Sequence, residues 1–306
     1  MAETMKDAPL HPGHLDASGA PPAPIIRKLT TDDLWFALRR GWEDFAAMPS
    51  HAVVLCLIYP VLGIALARAV LGYSVLPLLF PLAAGFALLG PFAAIGLYEL
   101  SRRRERGEST SASDALSVLR APSFGAMLAL GTILLTLFVV WVAAAQSIYV
   151  ATFGHTPASR IPDFVGRIFT TREGMELIVV GCGVGFLFAV VALCISVVAF
   201  PLMLDRHASA TDGMLTSLRV VMKNPVVIAE WGLIVAALLV VGSIPVFLGL
   251  AVVLPVLGHA TWHLYRRAVD ASDMPTYTPE PHEQKGKRYA ADFPASLFPW
   301  SREDRD

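Results

Sequence analysis

Charge is in short supply in this chain. Only 16% of its 306 residues are Asp, Glu, Lys or Arg, against about 25% in an ordinary soluble domain. The 24 basic and 25 acidic residues nearly cancel. No basic surplus is available to neutralise phosphates, so no nucleic-acid partner is expected. Cysteine is scarcer still. Cys56, Cys182 and Cys194 all fall in apolar runs and none belongs to a CxxC or CxxCH pair. That excludes disulfide, zinc and c-type haem readings and leaves buried structural thiols as the expectation. The N-terminal stretch lacks the apolar core of a cleaved signal peptide, and none is expected. There is no GxSxG, HExxH or Walker loop. Histidine is sparse too: of eight, only His51, His259 and His263 touch apolar spans. A catalytic haem–copper subunit needs imidazoles from several helices, so that assignment fails. Neither an enzyme nor a bound cofactor is expected.

Hydrocarbon is abundant, at 55% of residues with a mean hydropathy of +0.58. The stretch from Pro225 to Arg267 is nearly unbroken apolar chain, interrupted at Gly242, Ser243 and Pro245. It is about twice the ~20 residues that cross a bilayer, and so predicts two crossing helices joined by a tight turn. Taken along the chain, six spans are expected near 52–71, 75–98, 123–150, 175–204, 226–243 and 246–264. The fold class is therefore all-α, a polytopic membrane protein with six transmembrane helices. Tails at 1–30 and 270–306, rich in Pro and polar residues, are expected to be disordered around a membrane domain at 31–269. The second tail ends in the aromatic run Phe293 to Trp300, a candidate docking peptide or surface anchor.

Two short amphipathic helices are expected in the interface. The first begins near Thr31 or Asp32, with Leu34, Trp35, Leu38, Trp42 and Phe45 on one face. The second follows Pro162, with Phe164, Val165, Ile168 and Phe169 on one face. Gly181, Gly183 and Gly185 in the fourth span are expected to admit a close helix neighbour. Lys and Arg are distributed 20 to 4 between alternate loops. That bias predicts that both termini lie in the cytoplasm. The cluster Arg102, Arg103, Arg104 and Arg106 is the main topology anchor and, secondarily, a set of candidate lipid head-group contacts.

An internal rhyme supports a repeat. Pro91 to Arg103 lies over Pro255 to Arg267 with the proline, an aromatic and the Arg pair matched. Pro201 opens a looser copy ending at Asp205 and Arg206. Each crossing pair is preceded by a short polar–apolar segment and a proline, at Pro49, Pro122 and Pro225. The expected architecture is three hairpin repeats of one orientation. The segments GWEDFAAMP (Gly41–Pro49), GPFAAIGLYELSRRRERGE (Gly90–Glu108) and LPVLGHATWHLYRR (Leu254–Arg267) resemble a bacterial family of integral membrane proteins of unknown function. Some of its members carry the label of cytochrome c oxidase subunits. The resemblance implies topology and bacterial origin, and brings no catalytic residues with it.

The expected partners are the lipid bilayer and other inner-membrane proteins. Two functions stay open: a non-catalytic accessory or assembly partner of a membrane complex, respiratory ones included, and a small transporter or channel built from three hairpins. The candidate site is a polar cluster. In an antiparallel hairpin, residues equidistant from the turn share one depth. Glu230 and His259 are so related, and so are His51 and Glu99. The expectation is that Glu230 pairs with His259, and Glu99 with His51 or His263. The alternative is that each group reaches head-group water alone. His259 and His263, at i and i+4, share a face that suits a metal, but no third ligand accompanies them.

Overall fold

The computed structural model describes residues 23–49, 90, 94–155, 161–206, 208–245 and 248–274. The first hairpin expected at 52–98, His51, Cys56 and the aromatic tail lie largely or wholly outside them. Described are β1 (Ile25–Ile26), α1 (Thr31–Ala47), α2 (Ile95–Glu105), a 3-10 helix (Ala112–Arg120), α3 (Phe124–Phe153), α4 (Ile161–Thr170), α5 (Arg172–Ser196), α6 (Ala199–Asp205), α7 (Ala210–Lys223), α8 (Pro225–Ser243), α9 (Leu250–Ala268) and β2 (Val269–Asp270).

Among the described residues, three stretches are helical, long and apolar enough to cross a membrane: Phe124–Phe153, Arg172–Asp205 and Pro225–Ser243. They correspond to the expected third, fourth and fifth spans. The fourth is not one straight rod. Pro201 has no N–H and its ring crowds the carbonyl four residues back, so the helix breaks at Val197 and Val198 before resuming as α6. The Val198 N–H released by the break donates to Ser217 Oγ at 3.1 Å. The expected sixth span forms as α9, but His259, His263, Arg266 and Arg267 make its second half polar, and it is not among the three apolar stretches.

Helix α8 turns back on itself into α9, with Gly242 and Gly249 in near backbone contact: a Cβ on Gly249 would lie 2.7 Å from the Gly242 carbonyl oxygen. Helix α3 packs on α5, and α4 packs on the start of α5. Phe164 of α4 meets Tyr149 and Phe153, each at 6.1 Å between ring centroids, while Val165 and Phe169 remain exposed as an interfacial helix requires. Of the three glycines in α5, only Gly185 is in close contact, where a Cβ would stand 2.8 Å from Trp141 Cη2; Gly181 and Gly183 have nothing within 4 Å among the described residues. Cys182 between them is exposed, contrary to the buried thiol expected, because this face of α5 has no described neighbour. Cys194 is half-buried.

At the other end of the spans the chain ties itself together. Strand β1 pairs antiparallel with β2, Ile25 opposite Asp270 and Ile26 opposite Val269. Arg27 grips Asp270 at 2.7 Å. The exposed Asp270 carboxyl is drawn down to about 2 by hydrogen bonds from Arg27 and Ser272. Asn224, buried at the α7–α8 junction, accepts from the Leu29 N–H at 2.8 Å and donates to the Arg27 carbonyl at 3.1 Å. Helix α1 crosses α9 where Gly41 lets the backbones touch; a Cβ there would sit 2.6 Å from the Ala260 nitrogen. The buried face of α1 is Leu34, Ala37, Gly41, Asp44 and Phe45, whereas Trp35 and Trp42 point outward. The expected single apolar face is thus split. The small residues take the packing side and the tryptophans the outer one.

The packing order is cyclic. The 3-10 helix packs on α2, α7 packs on α6, and α1, first in the chain, packs on α9, the last. Helices α2, α6 and α9 in turn contact one another. Two equivalent ion pairs seal this ring, Asp114 with Arg103 at 2.9 Å and Asp33 with Arg267 at 2.7 Å.

Candidate functional site

Where α1, α2 and α9 meet, a buried polar cluster forms. Helix α1 supplies Asp44, α2 supplies Ser101 and Arg104, and α9 supplies His259 and His263 from one face. Asp44, Ser101, His259 and His263 are all buried. Asp44 Oδ2 accepts from Ser101 Oγ at 2.7 Å and from His263 Nε2 at 2.8 Å, and its Oδ1 faces Arg104 Nη1 at 2.9 Å. An ionised carboxylate only accepts. Ser101 must therefore donate its proton to Asp44, and its oxygen, 2.7 Å from His259 Nδ1, receives the N–H of that ring. The assignment follows from the network. It makes His259 the Nδ1–H tautomer and leaves its buried Nε2 with no hydrogen-bond partner among the described residues.

Burial opposes the charged form of Asp44, but hydrogen bonds from His263 and Ser101 outweigh it and hold the carboxyl below its ordinary 3.8. Arg104 reinforces the anchor by donating to the Glu43 carbonyl at 2.6 Å. The assembly is a hydrogen-bonded knot, with one carboxylate receiving three donors from two other helices. It locks α2 and α9 against α1 in a single register.

The expected members of the cluster divide. His259 and His263 belong to it. Glu230 does not pair with His259; its Oε2 accepts from Thr31 Oγ1 at 2.9 Å. Equal depth in a hairpin fixes a level but not a side, and His259 faces α2 while Glu230 faces the start of α1. Glu99 is likewise not a partner of His263. It is buried against Arg102 at 2.6 Å and Arg103 at 2.8 Å, on the side of α2 that meets the 3-10 helix. His51 lies outside the described residues.

The arginine run is also engaged by carboxylates of the protein, with Arg102 buried and Arg104 and Arg106 still open to solvent. Arg102 is 2% exposed. Arg103 bridges Glu99 and Asp114, Arg104 holds Asp44, and Arg106 faces Asp205 at 3.8 Å. Carboxylates from neighbouring elements have taken the place of lipid phosphate.

Asp205 centres a second knot, where α2, α6 and α9 converge. It accepts from Tyr265 Oη at 2.9 Å and from Arg206 Nε at 3.1 Å, with Arg266 at 3.5 Å. Glu105 takes Arg266 at 3.0 Å and the Trp262 indole N–H at 2.9 Å.

Sequence reasoning missed Asp44 and Ser101. A signal for Asp44 was present: it falls on the stripe Leu34, Ala37, Gly41, where small residues mark the packing face of α1, so a carboxylate there needs an internal partner. Ser101 carried no such mark. Among the described residues no group of three or more His, Cys, Asp or Glu is placed to hold a metal ion.

Comparison with the curated proteins finds no match, and comparison with the solved structures finds none either. Residues 78–205 match the model of a family described as a predicted integral membrane protein (DUF2189). That stretch carries α2 with its arginine run, α3 and α5, so the chain is similar over its central part to the family of integral membrane proteins of unknown function that its helix-end motifs resemble.

Proposed function

We propose that this is a non-catalytic, six-span inner-membrane protein that packs against, or helps assemble, a larger membrane complex. The observation that carries this reading is where its polarity goes. Buried ionisable side chains of α1, α2, α6 and α9 are spent on holding helices together. Among the described residues the span faces meanwhile stay largely uncovered: 28% of the most apolar window of α3 is buried, 6% of that beginning with α5, and 17% of that of α8. On α5, Gly181 and Gly183 leave an open small-residue strip beside Val179, Val180, Phe186 and Leu187, the kind of surface on which helices associate in lipid.

Two contacts support three hairpins of one orientation. Pairing of β1 with β2 brings residues 25 and 270 together, which supports an even number of crossings between them. The Asp44–Ser101 bond does the same for the stretch between α1 and α2. With two returns through α3–α5 and α8–α9, six crossings fit. The basic bias then places this side, with both termini, in the cytoplasm.

Close packing among the described residues at the α2–α9 contact speaks against a conducting pore there. Where α2 and α9 meet, a Cβ on Gly258 would lie 2.5 Å from Leu97 Cδ1, and Tyr98, Trp262 and Tyr265 are buried around it. The test is purification in mild detergent followed by mass spectrometry of what accompanies the protein. Stoichiometric membrane partners are expected. A partner-free preparation that passes solute unaided through proteoliposomes would replace this reading with a transporter.

A further inference from the structure

Three helices lead into spans, and they share a pattern. Thr30, Ser111 and Ser209 cap α1, the 3-10 helix and α7, and the aspartate three positions on returns a bond to each cap N–H: Asp33 at 2.9 Å, Asp114 at 2.7 Å and Asp212 at 3.2 Å. Each capping box is followed by an apolar residue, then Leu and Arg three and four positions later. The triplets are Trp35, Leu38 and Arg39; Leu116, Leu119 and Arg120; and Leu215, Leu218 and Arg219, with one extra residue in the third copy.

Apart from Leu38, partly packed on the core, and Arg39, which pairs with Glu43 on its own helix at 3.0 Å, these side chains have no internal task. Packing is done by the other face: Leu34 and Ala37, Ala115 and Val118, Gly213 and Val220. Trp35 is 60% exposed, Leu116 59%, Leu119 60%, Leu215 44% and Leu218 39%; only Leu38 is partly covered. The three arginines are exposed, and Arg120 and Arg219 form no ion pair with any described residue, unlike the arginines of α2. Each of the three helices adjoins an apolar or expected span in the chain. The 3-10 helix ends shortly before Phe124, α7 runs up to Pro225, and α1 ends next to the first expected span. Asp33 on Arg267, Asp114 on Arg103, and the packing of α7 on α6, whose Asp205 faces Arg106, put them on one side with α2 and α9.

We propose that these helices form a collar in the interface of the leaflet at the knotted end, each inserting its exposed apolar pair among the acyl chains and binding the phosphate of an anionic phospholipid through its arginine. Three repeats of one exposed apolar–apolar–cation triplet, each directly joined to a span, match a lipid surface in both hydrophobicity and charge. The proposal rests on the chain being membrane-embedded and not on the accessory role, because it is tested on the protein alone.

The full chain, with Cys56, Cys182 and Cys194 replaced by Ala, is reconstituted into nanodiscs of phosphatidylcholine and phosphatidylglycerol. A nitroxide is attached at Leu119→Cys, at Leu218→Cys, or at Glu108→Cys as a water-facing control. Oxygen is expected to reach the first two labels better than a nickel chelate does, with the reverse at Glu108→Cys. Labels at Leu119→Cys and Leu218→Cys that meet the chelate freely, or neither agent, overturn the proposal: water or protein then covers the face. Separately, native mass spectrometry compares lipid retention by the unmodified chain and by Arg39→Gln/Arg120→Gln/Arg219→Gln. At about fivefold per surface cation, the preference for phosphatidylglycerol over phosphatidylcholine should fall on the order of a hundredfold. An unchanged preference also overturns it, and would leave protein as the partner of the collar.

Discussion

Asp44→Asn removes the charge at the centre of the first knot while keeping its shape. The carboxylate receives Ser101, His263 and Arg104 at 2.7, 2.8 and 2.9 Å. Taking one partner out of a buried pair costs about 3–5 kcal/mol, because the others remain desolvated. Arg104 is 39% exposed, so water recovers part of its share, and about 3 kcal/mol is the expected loss. At about 2–4 °C per kcal/mol for a domain of this size, Tm in mild detergent should drop by roughly 6–12 °C. Tryptophan fluorescence on heating reads it, with Asp32→Asn, at an exposed position of α1, as the control. The pH profile adds an independent check. The Asp44 carboxyl is held below 3.8 in the fold. Its stabilisation is therefore complete above that value and is lost only as pH falls through the lowered one. The difference in Tm between native chain and variant should be flat at neutral pH and close below 3.8. A variant within 2 °C of the Asp32→Asn control (about 0.5–1 kcal/mol on the same scale) would refute the account of the knot.

Gly41→Leu should separate α1 from α9, since even a Cβ meets the Ala260 nitrogen at 2.6 Å and the Val256 oxygen at 2.7 Å; a loss above about 3 kcal/mol, read by proteolysis near α1, is expected, and retained protease resistance would contradict the crossing. Gly185→Leu should destabilise the α3–α5 pair by about 1–3 kcal/mol, while Gly181→Leu, with open space around it, should leave Tm unchanged in the isolated protein; equal effects would refute this packing. A fluorescent protein fused after Asp306 should fluoresce in bacteria and alkaline phosphatase there should be inactive, with the same outcome for fusions ahead of Ile25, because β1 and β2 pair; opposite results at the two ends would refute that pairing.

Sequence alone determined the class of this protein and the position of its apolar helices. Bilayer thickness converts hydropathy into length directly, and α3 and α8 begin within a residue of the expected starts. It also marked both histidines of the knot and the helix-end motifs that resemble a membrane family. Tertiary structure alone decided who pairs with whom. Depth in a hairpin can be counted along a chain, but the side of a helix that meets a neighbour depends on packing across elements far apart in sequence. His259 meets Ser101 from 158 residues away, and His263 meets Asp44 from 219. The arginines of α2 illustrate the same limit. As a run of cations they suggested lipid phosphate, yet once α1, α6 and the 3-10 helix pack around α2, carboxylates of the protein pair with them. A buried charge takes the nearest countercharge the fold supplies.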